Sequence, residues 1–304
     1  MNRQKRLKSS ALLLMTACIW GFAFVAQRQG MEHIGPFTYN AVRFALGALS
    51  LIPLILFLDR KSAQSPTENR SSYRIAAISG FIAGLVLFCG SSLQQIGLLY
   101  TTAGKAAFIT GLYIVIVPFI GLFLKQRLGL NSSLGAALAA IGLYLLCVPD
   151  DLTLGKGDVY ELVGAFFWSA HILVIDRLSR KTDVLKLSLF QIVTCSVLSF
   201  IVAIAAEKID FSGLLQALVP LLYGGICSVG IAYTLQVVGQ RDAQPTQAAI
   251  IMSMETVFAV IGGYWLLDEL LGTRGVVGCA LMLAGMILPQ LTLARGTRRK
   301  PNEG

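Results

Sequence analysis

The apolar stretches of this 304-residue sequence contain very few ionisable side chains, and those few are the first candidates for chemistry. Each stretch is long enough to cross a lipid bilayer. The ionisable groups inside them are Arg43, Lys105, His171 and Glu255, with Glu161 near the end of its stretch. A charge at the centre of a membrane span costs about 2.5–3.5 kcal/mol on insertion scales, so we expect these groups to face a cavity or one another.

Glu255 is the deepest carboxylate in the sequence. It lies about nine residues into its predicted helix, about 14 Å at 1.5 Å per residue, which is near the membrane midplane. A carboxyl group at this depth either loads and releases a proton or acts as a fixed counter-charge for a cation such as Arg43, Lys105 or protonated His171. We interpret Glu255 as a coupling group, with a buried structural partner as the alternative.

Other polar and aromatic residues are candidates for a cavity beside Glu255. Trp20 and Trp168 lie in the middle of their predicted spans, away from the interfaces where tryptophan usually anchors. We expect them to form two walls of one cavity, with simple packing as the alternative. The further candidates are Arg43, Gln94, Lys105, Tyr113, His171, Tyr233 and Gln236. Most of these candidates have an alternative interpretation. Arg43 and Lys105 can extend their side chains to the nearer membrane surface, and His171 can be a packed neutral imidazole. The glutamines can form hydrogen bonds to the backbone.

Several kinds of chemistry have no support in this sequence. The nucleotide-binding motif GxxxxGK[ST] and the zinc-protease motif HExxH are both absent. The 6 cysteines lie one per apolar run without CxxC spacing, and 2 histidines are too few for a histidine-rich metal site. Asp150 and Asp151 form a loop pair, and no Ser/His/Asp grouping stands out. We therefore expect no catalytic residues, no metal and no cofactor, and we do not expect an enzyme.

The composition indicates a polytopic membrane protein. The chain is 55% hydrophobic and 13% charged, with a mean hydropathy of +0.71, whereas soluble domains carry about 25% charged residues. Ten helices are predicted to span lipid, at 10–28, 37–58, 74–97, 103–124, 131–148, 158–178, 185–206, 214–237, 246–267 and 273–293. The basic start resembles a signal peptide, but the apolar run continues to about Val25 and further spans follow, so we interpret it as an uncleaved first helix.

The positions of the basic residues predict the orientation. Of the 25 lysines and arginines, 19 lie at one set of helix ends and 5 at the other, with Arg43 inside a span. The positive-inside rule therefore predicts that 1–9, 59–73 and 294–304 are cytoplasmic and that 149–157 is external. In a soluble protein the net charge of +9 would indicate nucleic acid. Because the charges lie in loops, we expect no nucleic-acid partner.

The chain consists of two copies of one unit. The stretch LQQIGLLYTTAGKAAFITG at 93–111 aligns with LQVVGQRDAQPTQAAIIMS at 235–253, at an offset of 142. Other matched pairs are Trp20 and Trp168, Gly135 and Gly278, and Gly142 and Gly285. The halves 10–148 and 158–293 each contain five predicted spans, and this odd number makes the second copy enter the membrane from the opposite side. The sequence therefore predicts an all-α fold of two inverted five-helix repeats.

Three motifs in this order resemble the EamA family of the drug/metabolite transporter superfamily. They are IWG after the basic start, IGLLYTTAGKAAFITGLYIVIVP, and METVFAVIGGYWLLDEL. The resemblance covers about residues 10–293 and implies two EamA domains and secondary transport of small metabolites, often amino acids, out of bacterial cells. In one departure the fourth span ends LKQRL, where the family often has an acidic LGE-type ending, whereas the ninth span keeps LLDEL.

Residues and resemblance together predict a secondary transporter that moves small metabolites, such as amino acids or amphiphilic drugs, across the inner membrane by alternating access. Export is the expected direction. The expected partners are a small-molecule substrate, the lipid bilayer and, as a candidate coupling ion, the proton. The alternatives are a membrane receptor or assembly factor that does not transport, and an intramembrane enzyme. The sequence indicates neither the identity of the substrate nor an oligomeric state.

Overall fold

Helices make up the regular structure of the described residues. The computed structural model describes residues 3–61, 66–101, 103–123, 129–147, 155–267 and 272–296, and within these ranges every regular element is helical. The helices are α1 (Arg3–Gly30), α2 (Pro36–Lys61), α3 (Pro66–Gly97), α4 (Ala103–Gly111), α5 (Tyr113–Phe123), α6 (Leu130–Cys147), α7 (Lys156–Ser179), α8 (Val184–Ala206), α9 (Phe211–Gln216), α10 (Leu218–Leu222), a π-helix (Tyr223–Tyr233), α11 (Thr234–Arg241), α12 (Pro245–Met252), α13 (Glu255–Leu267) and α14 (Thr273–Gly296). The LKQRL and LLDEL endings, most of the predicted external loop and the end of the basic tail lie largely outside the described residues.

The helices are long and apolar enough for a membrane protein. In the described part of the chain, 8 helices meet the length and hydropathy of a membrane span, and Ser133–Leu145 and Thr273–Gly285 are shorter apolar helices. The outward surface is also apolar, as exposed Phe57, Phe81 and Ile201 illustrate. A surface of this kind is stable in lipid and not in water. The predicted all-α polytopic fold is confirmed.

The packing between helices repeats when the two halves are exchanged. The pairs α6–α14 and α2–α8 each join equivalent helices of the two halves. In the second half the π-helix and α11 correspond to α3. The contact of α3 with α8 therefore corresponds to the contact of the π-helix with α2. The contact of α3 with α7 corresponds to the contact of the π-helix and α11 with α1. The contact of α1 with α12 and α13 likewise matches the contact of α7 with α4 and α5. Five helical segments per half, paired in this way, form the inverted repeat that the sequence predicts.

Matched glycines bring α6 and α14 into backbone contact. A Cβ atom on Gly142 would lie 2.5 Å from the carbonyl oxygen of Gly278, and a Cβ atom on Gly285 would lie 2.5 Å from that of Gly135. Real Cβ atoms do not approach so closely, so each site requires glycine. Such small residues allow membrane helices to pack backbone to backbone. The contact is reciprocal because the two pairs are the equivalents that the sequence alignment predicts.

Two membrane spans break at equivalent points near their middle. The first breaks between α4 and α5, where the N–H of Leu112 donates to the carbonyl of Ile109 at 3.1 Å. The second breaks between α12 and α13, where the N–H of Met254 donates to the carbonyl of Ile251 at 3.2 Å. Both bonds span three residues rather than the four of an α-helix. Broken helices at membrane depth are stable where they border a cavity, and in transporters they form the substrate site.

Candidate functional site: a cavity between the repeats

The breaks in the two spans border a cavity to which both repeats contribute. Its empty space is about 460 Å³, with the opening to solvent included. The lining residues are Trp20, Ala23, Phe24, Gln27, Arg43, Gln94, Thr110, Tyr113, Trp168, Ile172, Ser228, Tyr233, Gln236, Met252 and Glu255. The structure thus brings together eight of the ten predicted site residues; Lys105 and His171 lie elsewhere. Whether these residues bind a substrate stays a prediction.

Tyr113 and Glu255 join the two broken helices. The hydroxyl of Tyr113 donates to Oε1 of Glu255 at 2.9 Å. Tyr113 is the first residue of α5 and Glu255 the first residue of α13, and the two positions are separated by 142 residues. Glu255 therefore lies in the first turn of its helix, where unpaired N–H groups and the helix dipole favour a carboxylate. The repeat offset maps one residue onto the other, a signal that the reasoning from sequence missed.

Three aromatic rings form a wall of the cavity. Tyr233 lies between the two matched tryptophans, with ring centroids 4.8 Å from Trp20 and 6.4 Å from Trp168. The indole N–H of Trp20 donates to the carbonyl of Ser228 at 3.2 Å. The indole N–H of Trp168 is buried and has no hydrogen-bond partner among the described residues. Since buried indole N–H groups usually find partners, this donor is free to bond a molecule in the cavity.

Arg43 supplies a buried positive charge. Its side chain is held by a hydrogen bond from Nε to Oδ1 of Asn40 at 2.9 Å and by the ring of Phe44, whose centroid is 5.0 Å from Cζ. The residue is 2% exposed. Among the described residues, no carboxylate oxygen lies within the 4.0 Å of an ion pair with this guanidinium. Because a buried cation is costly without a partner, Arg43 is suited to pair with an anionic group of a ligand.

Amide side chains supply further hydrogen-bonding groups. Gln94 donates from Nε2 to Oε1 of Gln27 at 3.3 Å, and Gln27 donates to the carbonyl of Ala23 at 3.1 Å. Gln236 is buried, and its Oε1 has no partner within the part of the chain that the structure describes. The cavity therefore contains at least one free acceptor. Gln27 was not among the predicted residues, because an isolated glutamine in an apolar run gives no pattern to detect.

The two remaining predicted residues lie away from this cavity. Lys105 forms an ion pair with Asp158, with Nζ 2.6 Å from Oδ2, and borders a separate groove at one end of the helices. His171 lies 2.9 Å from Oε1 of Gln191 through Nε2, and its ring meets Trp168 edge-on at 6.1 Å. His171 thus packs behind the aromatic wall. Within the described residues, no group of three or more His, Cys, Asp or Glu side chains is placed to hold a metal ion.

Comparison with known proteins places this fold in a family. The EamA-like transporter family matches residues 7–148 and 155–289, once for each repeat. The chain belongs to the EamA-like transporter family. The EamA chain is 29% identical over 288 residues to an uncharacterized transporter of Archaeoglobus fulgidus, a match that covers 94% of this chain and 87% of the relative. It is 22% identical over 289 residues to the uncharacterized transporter YoaV of Bacillus subtilis, covering 93% and 97% of the two chains.

A solved crystal structure has the same fold as this EamA protein. The two superpose with a TM-score of 0.74, and the match covers 95% of this chain and 99% of the other. The sequences are 18% identical, so this likeness concerns the fold alone. The family match and the names of the relatives identify a multi-pass membrane transporter.

Proposed function

We propose that this EamA protein is a secondary transporter that exports small metabolites, such as amino acids or amphiphilic drugs, across the inner membrane by alternating access. The observation that supports this most is the cavity at the breaks of two equivalent spans, which contains both a buried cation and a buried carboxylate. Transporters built from inverted repeats bind substrate at such a point and expose it to each side in turn.

The chemistry of the cavity favours amino acids over amphiphilic cations. Arg43 suits the carboxylate of an amino acid, since guanidinium binds carboxylates through two parallel hydrogen bonds. Glu255 suits the ammonium group, and the ring of Tyr233 with its neighbouring indoles suits an apolar side chain. An amphiphilic cation would use Glu255 and the rings but would leave the charge of Arg43 unpaired beside it. An amino acid with a bulky side chain matches all three features.

The direction and the coupling ion belong to the same proposal. The 19 basic residues at one set of helix ends support an orientation with both termini in the cytoplasm. Glu255 is proposed to exchange a proton during the cycle, because it is a carboxylate in the wall of the cavity and carboxylates at this depth often serve as proton relays. Entry of protons would then drive export of substrate.

Flux into or out of proteoliposomes tests the proposal. The purified protein should move labelled bulky amino acids, and Arg43→Gln should lower that flux at least about tenfold, the size of a lost charge-assisted contact. Arg43→Lys keeps the charge and should retain part of the flux, while Arg74→Gln, an exposed arginine, serves as the matched control. Absence of flux for amino acids and for amphiphilic cations alike would favour a receptor or assembly factor, and a chemically altered product would indicate an enzyme.

A further inference from the structure

Two contacts tie the repeats together at opposite ends of the molecule. Lys105 in α4 pairs with Asp158 in α7, with Nζ 2.6 Å from Oδ2. Gln247 in α12 donates from Nε2 to Oγ of Ser10 in α1 at 3.4 Å. Arg28 borders the same groove as Lys105 and lies about 27 Å along α1 from Ser10 at 1.5 Å per residue, so the two contacts lie at different ends.

The repeat makes these two contacts equivalent. Gln247 follows Lys105 by 142 residues, the offset of the two aligned stretches. Asp158 follows Ser10 by 148 residues, the separation of the two matched tryptophans. The same pair of positions therefore meets at both ends. At one end the pair is charged, and at the other it is neutral.

The glycines beside the two contacts pack against equivalent residues at both ends. A Cβ atom on Gly97 would lie 2.6 Å from Oε1 of Glu161 in α7. A Cβ atom on Gly239 would lie 3.0 Å from Cγ of Leu13 in α1. Gly239 is the equivalent of Gly97, and Leu13 is the equivalent of Glu161, by the same two offsets. The same pair of positions therefore packs together at both ends, while the side chains that join the helices differ.

The charged end contains the stronger set of bonds. Asp158 is 1% exposed and also accepts from the hydroxyl of Thr101 at 3.0 Å. At the neutral end the pair of Gln247 and Ser10 is supplemented by a hydrogen bond of 2.7 Å from Ser9 to the carbonyl of Gly239. Charge-assisted hydrogen bonds are about twice as strong as neutral ones. Separating the pair also leaves the buried carboxylate of Asp158 without its cation, whereas Lys105 is partly exposed.

The charged contact lies between the cavity and the outside. Lys105 borders the groove that opens at its end of the molecule. Thr110, about 7.5 Å further along α4 at 1.5 Å per residue, lines the central cavity. Thr110 also donates to Oε2 of Glu161 at 3.1 Å, which adds a second link between α4 and α7. Helices α1 and α4 border both the cavity and this groove, so α4 forms a wall of the path between them, and its ion pair with α7 holds that wall in place.

We propose that Lys105 and Asp158 form a latch that biases the transport cycle. The latch makes the conformation closed at its own end more populated than the conformation closed at the Gln247–Ser10 end. The inference rests on the proposed alternating access, in which rocking of one repeat against the other breaks each contact in turn. Since the two contacts differ in strength, the two closed conformations differ in population. With the orientation proposed above, the latched end is the external one.

Thiol labelling of a cavity cysteine measures this bias. Ser228→Cys lines the cavity, and it is introduced in a background that lacks the 6 native cysteines. The protein is reconstituted in liposomes, and an impermeant thiol reagent is applied separately to each face. Lys105→Gln with Asp158→Ser copies the neutral end onto the charged end and should raise labelling through the latched end by about tenfold relative to the other face. Gln247→Lys with Ser10→Asp copies the ion pair onto the neutral end and should lower labelling through that end.

The reversed pair separates the interaction from the individual residues. Lys105→Asp with Asp158→Lys should restore the labelling ratio of the parent protein. If the reagent labels from both faces and no pair of substitutions changes the ratio of labelling between the faces, the latch is overturned and alternating access stays intact. Labelling from one face only, in every variant, would overturn both proposals. If the double variant at Lys105 and Asp158 does not insert into the membrane, the double variant at Gln247 and Ser10 tests the latch, because it keeps the original ion pair.

Discussion

Tyr113 and Glu255 occupy the same position in the two repeats, 142 residues apart, and they bond to each other at 2.9 Å. Each begins the second segment of a broken span. Equivalent residues of two repeats can bond to each other only near the pseudo-two-fold axis that relates the repeats, so the Tyr113–Glu255 pair lies near that axis. One repeat supplies a donor there and the other a carboxylate, so the symmetry of the backbone is not matched by symmetry of charge.

Removal of the hydroxyl should weaken both the fold and transport. Tyr113→Phe deletes the donor to the buried carboxylate of Glu255, and we expect a loss of about 1.5–3 kcal/mol, as for hydrogen bonds to charged groups. The thermal unfolding temperature in detergent and the flux in proteoliposomes measure these effects. Tyr264→Phe, on the exposed face of the same span as Glu255, is the matched control. An unfolding temperature equal to that of the control would mean that the bond contributes nothing to stability.

The crossing of α6 and α14 should tolerate no side chain at its glycines. Gly142→Ala places a methyl group 2.5 Å from the carbonyl oxygen of Gly278, so the helices must separate. We expect a destabilisation of about 1–3 kcal/mol, the usual cost of overpacking. Thermal unfolding measures the effect.

Gly129→Ala is the control for this substitution, because a Cβ atom there meets nothing within 4 Å. Gly285→Ala repeats the test from the other helix, where the added methyl group meets the carbonyl oxygen of Gly135 at 2.5 Å. Equal stability of Gly142→Ala and Gly129→Ala would show that the crossing is looser than the structure indicates.

The fold could be predicted because the features that determine it can be found directly along the sequence. Apolar runs of the length of a bilayer predict helices, and the constant offset predicts two copies. The reciprocal contact of Gly142 with Gly278, and of Gly285 with Gly135, follows from the same alignment. The breaks at Leu112 and at Ser253 and Met254 were not predicted, because Gly111 precedes the first break but Ser253 occupies the equivalent position in the second, so the two breaks share no proline or glycine signal.

The candidate site was harder to predict. The sequence indicates how deep a residue lies in the membrane, but not towards which side of the helix its side chain points. Trp20, Trp168 and Glu255 were chosen by depth and do border the cavity. His171 has a similar depth but packs behind the aromatic wall beside Gln191. Lys105 lies at the outer end of the helix that leads to the first break, where it pairs with Asp158 of another helix, and that pairing depends on tertiary packing alone.

The orientation predicts which segments a reagent can reach from outside the cell. Ser65→Cys and Thr153→Cys are introduced singly in a background without the native cysteines; both positions lie outside the described residues. The 19-to-5 distribution of basic residues predicts that an impermeant thiol reagent labels Thr153→Cys in intact cells and labels Ser65→Cys only after permeabilisation. Labelling of Ser65→Cys alone in intact cells would reverse the proposed orientation and place the Lys105–Asp158 end on the cytoplasmic side.

Glu255 is the residue on which proton coupling depends in this proposal. Glu255→Gln keeps the size of the side chain and an oxygen that can accept from the hydroxyl of Tyr113, but it cannot bind and release a proton. We expect this variant to fold and insert and to bind substrate more weakly, because the ammonium group loses its charged partner, and at saturating substrate we expect it to lose at least about tenfold of the flux that a pH gradient drives. Exchange of substrate between the two sides without a gradient should persist, because rocking of the repeats does not require the proton.

Measurement of flux with and without an imposed pH gradient, at equal protein level, checks this. Asp176→Asn, which removes a carboxylate that pairs with the exposed Arg180 at the end of α7, is the control. Unchanged gradient-driven flux in Glu255→Gln would exclude Glu255 as the coupling group.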